Sequence, residues 1–361
     1  MVKDNSKVGK AGPTGYGSAL ASYWPGLALI IGIGTVGLAM RNPVPKVRLA
    51  PPPPGWTRFP ETGASICLEI KGDQVYVGGK SGLWILSRKS NGSAQRVRLP
   101  VDTIHIRSIA CASDGTLWIG HTEGLIQMKG GAFRQWTKAD GLPGSRVNCV
   151  REVKGRIVAG TSGGLVEFFD GRWVRPPYAN QLASKVVSVI CGTENGDLWI
   201  GSSSDLNGGL SRVHANGVQT WRIQDGLPHS YVQDILALNR RAVWVATGQY
   251  ESGGAVLIDA KPGKAAIAKT LAKGDGLAGN KVRSIGQDAS GAIWFGSEND
   301  GLAIIDHGNS IVLTVDDGLP HNEVTCICKD IDGNMWLATL NGVVKIEKPA
   351  VARIKAGAMT K

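Results

Sequence analysis

The chain has 361 residues, 50 of them Gly, and its 11 Trp outnumber its 5 Phe; tight-turn residues together with half-buried aromatics favour a turn-rich β protein. Most of its net charge of +11 sits at the ends: residues 1–54 carry +5 and residues 349–361 carry +3, leaving +3 for residues 55–348. That distribution argues against a basic, nucleic-acid-binding face on the folded body.

In chain order, residues 1–18 read as a flexible leader and residues 19–41 as a transmembrane helix. Ala19 to Met40 carry no charge. As a helix this stretch reaches ~33 Å, against ~30 Å of hydrocarbon in a bilayer. Tyr23 and Trp24 suit the headgroup level at one edge, and Arg41 stops the run at the other. A cleaved signal peptide is the alternative: Gly37-Leu38-Ala39 offers small residues for a peptidase, but the charged leader ahead of the apolar run is long. Ala28 and Gly32 form a small-xxx-small pair, which lets helices approach closely in lipid. Three basic residues flank each side, so the positive-inside rule does not orient the segment. Residues 42–54 are Pro-rich, which predicts a stiff spacer, and residues 349–361 read as a basic tail.

Between them, residues 55–348 repeat. Leu-Trp-Ile-Gly occurs at 117–120 and 198–201, Ile-Trp-Phe-Gly at 293–296, Met-Trp-Leu-Ala at 335–338 and Val-Trp-Val-Ala at 243–246. Val75-Tyr76-Val77-Gly78 and Ile157-Val158-Ala159-Gly160 fill the same slot without Trp. The seven anchors are Tyr76, Trp118, Val158, Trp199, Trp244, Trp294 and Trp336, spaced by 42, 40, 41, 45, 50 and 42 residues. Asp-Gly-Leu turns at Asp140, Asp225, Asp275 and Asp317 each lead into a Val-containing strand. Four short strands per roughly 42 residues is the signature of a propeller blade. The expectation is an all-β, seven-bladed β-propeller of four-stranded antiparallel blades, plus the one N-terminal helix. Blade seven lacks a fourth strand downstream, and Gly55-Trp56-Thr57-Arg58-Phe59 resembles the outer strands around Trp136 and Trp221, so it is expected to complete that blade.

The pattern D-G-L-P…V-x-x-I…G-x-L-W-x-G-T…G-L, over residues 60–347, resembles the two-component-regulator propeller repeat of bacterial extracytoplasmic sensors. The resemblance implies a periplasmic propeller and a sensing role. Those sensors usually carry two such propellers followed by a transmembrane helix and a kinase; here the helix comes first and no kinase follows.

Few residues invite chemistry. No Ser-His-Asp set, phosphate loop or metal-ligand cluster stands out, so no enzyme activity and no cofactor are expected. Cys67, Cys111, Cys149, Cys191, Cys326 and Cys328 fall on first strands and are expected as buried free thiols. Three of them, Cys67, Cys149 and Cys326, are matched with Ser108, Ser188 and Ser284 as a small-residue slot near the axis. Cys326 and Cys328 are expected on opposite strand faces, which argues against zinc or redox chemistry. His229 and His321 follow Asp-Gly-Leu-Pro turns and mark, with Tyr250, a possible ligand or partner face. Asp330-Ile-Asp332-Gly333-Asn334 hints at calcium but lacks the later carboxylate and reads as a turn. Ser202–Gly209, Gly248–Gly254 and Lys261–Lys273 read as irregular insertions in blades four to six. The leading expectation is a non-enzymatic scaffold or accessory subunit of a bacterial membrane protein complex, held by its helix in the lipid bilayer and by propeller loops. An energy-transducing complex, such as a photosynthetic reaction centre with its light-harvesting antenna, is the expected kind. An extracytoplasmic ligand-sensing module is the alternative.

Overall fold

The computed structural model describes residues 50–90, 92–101, 105–204, 207–261 and 264–359. The expected membrane segment, with Ala28 and Gly32, lies outside the described residues. No helix among the described residues is long and apolar enough to cross a membrane.

Seven four-stranded antiparallel sheets account for the strands of the described residues. Blades one to six occupy residues 65–97, 106–136, 147–174, 187–221, 232–271 and 282–313. Blade seven takes its inner three strands from 324–346 and its outer strand from Trp56–Phe59, which pairs with Gly342–Ile346. Each inner strand lies against the next, and that of blade seven against that of blade one, so the ring is closed. The first and last strands of the described residues thus meet in one sheet, and Phe59 stacks on Trp336 with ring centroids 5.8 Å apart.

The repeat motifs have mechanical reasons. The seven anchors share one register: each faces the fifth position of its inner strand, as in Ala110↔Trp118, Arg151↔Val158 and Gly286↔Trp294. All are buried except Tyr76, which is half-buried. Gly recurs two residues after the anchor because the next blade presses there. A Cβ on Gly160 would lie 2.4 Å from Val187 Cγ1, and one on Gly201 would lie 2.5 Å from Val232 Cγ1. In the Asp-Gly-Leu turn, Asp140 Oδ2 accepts the Thr137 N–H at 2.9 Å, and Asp225, Asp275 and Asp317 repeat this bond. Gly141 takes φ +102°, a left-handed value suited to Gly, and Leu142 enters the blade interface.

Several expectations are corrected. Most of the expected basic tail is helix: Lys348–Met359 is helical, with Ala350 and Val351 packed into the cluster around Trp294 and Trp56. Its Lys355 Nζ lies 3.2 Å from both Asp288 and Asp306. Two supposed insertions are extra strand: Gly248↔Gly253 and Gln249↔Ser252 continue the ladder of blade five, and much of Lys261–Lys273 is the strand Lys264–Leu271. All three insertions therefore fall in blades four and five. Cys326 and Cys328 share a strand face, as two-residue spacing requires, and their sulfurs lie 3.9 Å apart. Only Cys149 is fully buried; the other five thiols are half-buried, because first strands border the channel, and none forms a disulfide. Asp330 closes its turn as expected, accepting the Asp332 and Asn334 N–H groups at 3.0 and 2.9 Å. It also accepts the Trp336 indole at 3.0 Å.

Candidate functional site

Each of the seven inner strands carries a register shift at the same place, its second residue. A bulge inserts one unpaired residue and re-aims its side chain. The seven bulged residues are Ile66, Arg107, Asn148, Ser188, Gln233, Arg283 and Thr325, and all seven line one cavity of about 360 Å³ at the mouth of the channel. Arg146, Val186, Ser203, Tyr231, Gln249 and Lys281 complete its wall. The bulge also corrects the small-residue slot. The residue after it pairs with the motif Gly or Ala, so the slot holds Cys67, Ser108, Cys149, Val189, Asp234, Ser284 and Cys326. Ser188 belongs to the mouth ring instead.

Several mouth side chains are fixed by the neighbouring blade. Asn148 Nδ2 donates to Val187 O at 2.7 Å, Ser188 Oγ to Val232 O at 2.7 Å and Thr325 Oγ1 to Ser65 O at 2.8 Å. In each case the acceptor is the carbonyl just before the next blade's bulge. Gln233 Nε2 reaches Gly248 O at 2.7 Å, and Arg107 Nε reaches Asn148 Oδ1 at 3.1 Å. The ring is thus rigid and mutually supported.

The wall's charge is one-sided. Arg107, Arg146, Lys281 and Arg283 line the cavity, and no carboxylate does. Glu298 and Glu323 stand behind them: Lys281 Nζ lies 2.5 Å from Glu298, and Arg283 Nη2 lies 3.1 Å from Glu323. Arg107 and Arg146 form no ion pair among the described residues. The surrounding protein crowds Arg107, and Arg146 and Arg283 repel its charge, so its pKa falls below the ordinary guanidinium value. Arg107 is nevertheless exposed to water, as befits a concave wall.

Deeper along the inner strands lies a half-buried polar belt. Asp234 accepts the Ile285 and Ile235 N–H groups, each at 2.9 Å, and Glu69 accepts the Cys111 N–H at 3.2 Å. Burial raises the pKa of both carboxyls, with those N–H groups and Arg151 opposing. Arg151 Nη1 donates to Ser108 Oγ and Ile109 O, each at 3.2 Å, and to Val150 O at 2.9 Å. Burial opposes its charge, but Glu69 and Asp234 contribute fields that help raise its pKa. This belt was missed in the sequence because a lone acid in a β-strand carries no pattern.

The residues singled out from sequence sit around the mouth and not in its wall. His229 Nδ1 accepts the Tyr231 N–H at 3.0 Å, and His321 Nδ1 accepts the Glu323 N–H at 2.8 Å. Tyr250, 78% exposed at φ +55°, tips the hairpin beside Gln249. Their neighbours Tyr231 and Gln249 reach the cavity. A larger hollow of about 560 Å³ lies between blades three and four. There Glu167 takes the Tyr178 hydroxyl at 2.6 Å and Arg156 at 3.2 Å, so that group's polar atoms satisfy one another.

Together these features define a seven-bladed β-propeller with a polar mouth at its axis. Residues 276–299 and 318–341 each match the repeat of the two component regulator propeller family. Among solved structures, it is similar to the extracellular domain of BT4673 from B. thetaiotaomicron, described as a hybrid two component system. Identity is 18%, over 81% of this chain and 39% of that one, with a TM-score of 0.63. The chain thus spans well under half the length of that structure. It is also similar to virginiamycin B lyase from Staphylococcus aureus, at 16% identity over 79% of this chain and 94% of that one, TM-score 0.61. YCF48 bound to D1 peptide matches at 12% identity over 81% of this chain and 97% of that one, TM-score 0.61. No curated protein matches the chain.

Proposed function

We propose that this protein is a ligand-sensing propeller that binds at its channel mouth without chemical turnover, with its body outside the cytoplasm behind an N-terminal membrane anchor. One observation carries the reading. All seven blades bulge at the same register, and the seven re-aimed side chains converge on one cavity. The matched family and the extracellular neighbour domain support the sensing role and its side of the membrane. The fold also hosts an enzyme, the lyase, so fold alone does not decide against catalysis. Here the wall offers cations, amides and hydroxyls, and the nearby Glu298 and Glu323 are engaged by Lys281 and Arg283. That composition suits recognition better than proton transfer.

A thermal-shift screen of small solutes against the full chain tests this, with Ser203→Trp as a plug at the cavity wall. Stabilising solutes should lose their effect in the plugged variant. Solutes that act equally on both place the site elsewhere.

A second reading, the accessory subunit of a membrane complex, is favoured by one neighbour, YCF48, which is described as bound to a peptide. On this reading the helix docks through Ala28 and Gly32 and the loops around Tyr250, His229 and His321 meet the partner. The complex would be energy-transducing, of the photosynthetic kind. Deleting residues 1–54 would then separate the ring from a complex that the whole chain copurifies with; retention of the truncated ring counts against it.

A further inference from the structure

We infer that the ligand of the mouth is a small, multiply charged oxyanion of the carboxylate or phosphate class, held between Arg107, Arg146 and Arg283. This rests on the reading of the mouth as the recognition site. Four cations line the cavity and no acid does, while the two carboxylates behind them neutralise at most two. Arg107 and Arg146 are left without a carboxylate among the described residues. A guanidinium presents several N–H donors in a fixed plane, suited to two-point binding of carboxylate or phosphate oxygens. Arg107 is held by its Nε contact to Asn148, which is itself anchored to the next blade, so the remaining donors of its fork are aimed without a long search. Three guanidinium groups of like charge crowd the rim, and an anion would relieve that repulsion.

The cavity's size limits the guest. About 360 Å³ holds a phosphate or a di- or tricarboxylate, not a folded partner. Around the cations, Ser188, Gln233, Thr325 and Ser203 add groups able to hydrogen-bond a second polar end of the molecule. Ile66 and Val186 leave a small apolar wall, which suits a short carbon skeleton.

Isothermal titration of the full chain with citrate, succinate and inorganic phosphate, and with a neutral disaccharide, tests the inference. At least one of the anions should bind, the disaccharide should not, and binding should weaken as salt rises. Arg107→Gln with Arg146→Gln should lower anion affinity at least tenfold, and Ser203→Trp should abolish it. The relative strength of phosphate and the carboxylates assigns the source of the oxyanion. Because Arg107 and Arg146 are exposed, the double variant should keep the parent's melting temperature, which separates lost binding from lost folding. No anion binding by the folded chain would overturn the inference. If the disaccharide alone binds and the plug blocks it, the oxyanion is wrong and the mouth remains the site. If anions bind but neither the arginine pair nor the plug matters, both readings fall.

Discussion

The blade interfaces and the channel mouth are built by the same seven repeats and differ in one respect. At the interfaces every blade supplies nearly the same thing: an anchor, a small residue after it and a buried aliphatic opposite. At the mouth the seven blades supply six kinds of side chain, from Ile66 through Asn148 to Thr325, with arginine alone used twice, at Arg107 and Arg283. Sameness there serves the ring, in which each face must fit the next. Difference here makes a site, since seven identical side chains around an axis would suit a symmetric guest. The one-residue bulge separates the two tasks, because it lifts a single position out of the alternation that packs the blades.

If the interfaces carry stability, the largest losses should come from them. Phe59→Ala removes the ring stacked on Trp336 at the seam where the first and last strands of the ring meet. It should cost about 3–5 kcal/mol in chemical denaturation, and Trp294→Ala a similar amount. Both should leave anion affinity in the surviving folded fraction unchanged. A seam variant as stable as the parent would mean that blade seven is not held by the N-terminal strand.

A smaller effect probes the close approach between blades. Gly160→Ala places a methyl group against Val187 and Cys149, and should cost about 1–3 kcal/mol by overpacking. The same change at Gly155, where an added Cβ meets nothing but φ is +72°, isolates backbone strain from crowding. Gly160 has no positive φ, so the absence of a cost there would show that crowding is not what fixes the motif glycine.

Most of the interface was legible in the sequence, because packing imposes a period and a period can be counted. Trp118, Trp199, Trp294 and Trp336 each recur with a Gly or Ala two residues later, and the ladder puts all of them in one register. The mouth was not legible. Its defining residue is the one the ladder skips, and counting residues along a strand assumes that none is skipped. That is why Ser188 was matched with Cys67, whereas register matches Val189. The same limit hid the length of blade five, whose Gly-rich Gly248–Gly254 looks like a loop yet pairs as strand. His229 and His321 drew attention by their chemistry, but each spends its Nδ1 within its own turn.

The half-buried polar belt offers a pH-dependent contrast with the mouth. Burial raises the pKa of Asp234 above its ordinary 3.8, so the folded state holds the proton more tightly than the unfolded chain. The stability this contributes is fully present below pH 3.8 and is lost as pH rises through the folded value. Asp234→Asn removes that dependence. The difference in melting temperature, variant minus parent, should therefore become more favourable to the variant from about pH 4 to pH 7. A constant offset from the lost acceptor for Ile285 or Ile235 is expected and does not alter the slope. A difference that runs the other way would mean that Arg151 outweighs burial at Asp234.

The smallest expected signal comes from the thiols, which border the channel between the two regions. Burial raises Cys111 and Cys149 to about 12 and pushes Cys67 higher still. The Cys326–Cys328 contact favours the thiolate at Cys326 and disfavours it at Cys328. Only the thiolate reacts readily with an alkylating agent, and each pKa unit above the working pH lowers its share about tenfold. At pH 7 the folded chain should thus label slowly at Cys67, Cys111 and Cys149 even though two of these are half-open to solvent. Cys149, at 4% exposure, should be the slowest. Raising the pH to 9 should speed Cys111 far more than Cys149, because Cys111 is limited by ionisation alone and Cys149 by access as well. Site-resolved mass spectrometry of iodoacetamide-treated native protein gives the rates. Equal acceleration at both would show that the channel admits reagent along its whole length. Slow labelling at both, unmoved by pH, would mean that the channel is closed to reagent at both thiols. That result would place the boundary between site and scaffold nearer the bulges than the thiols.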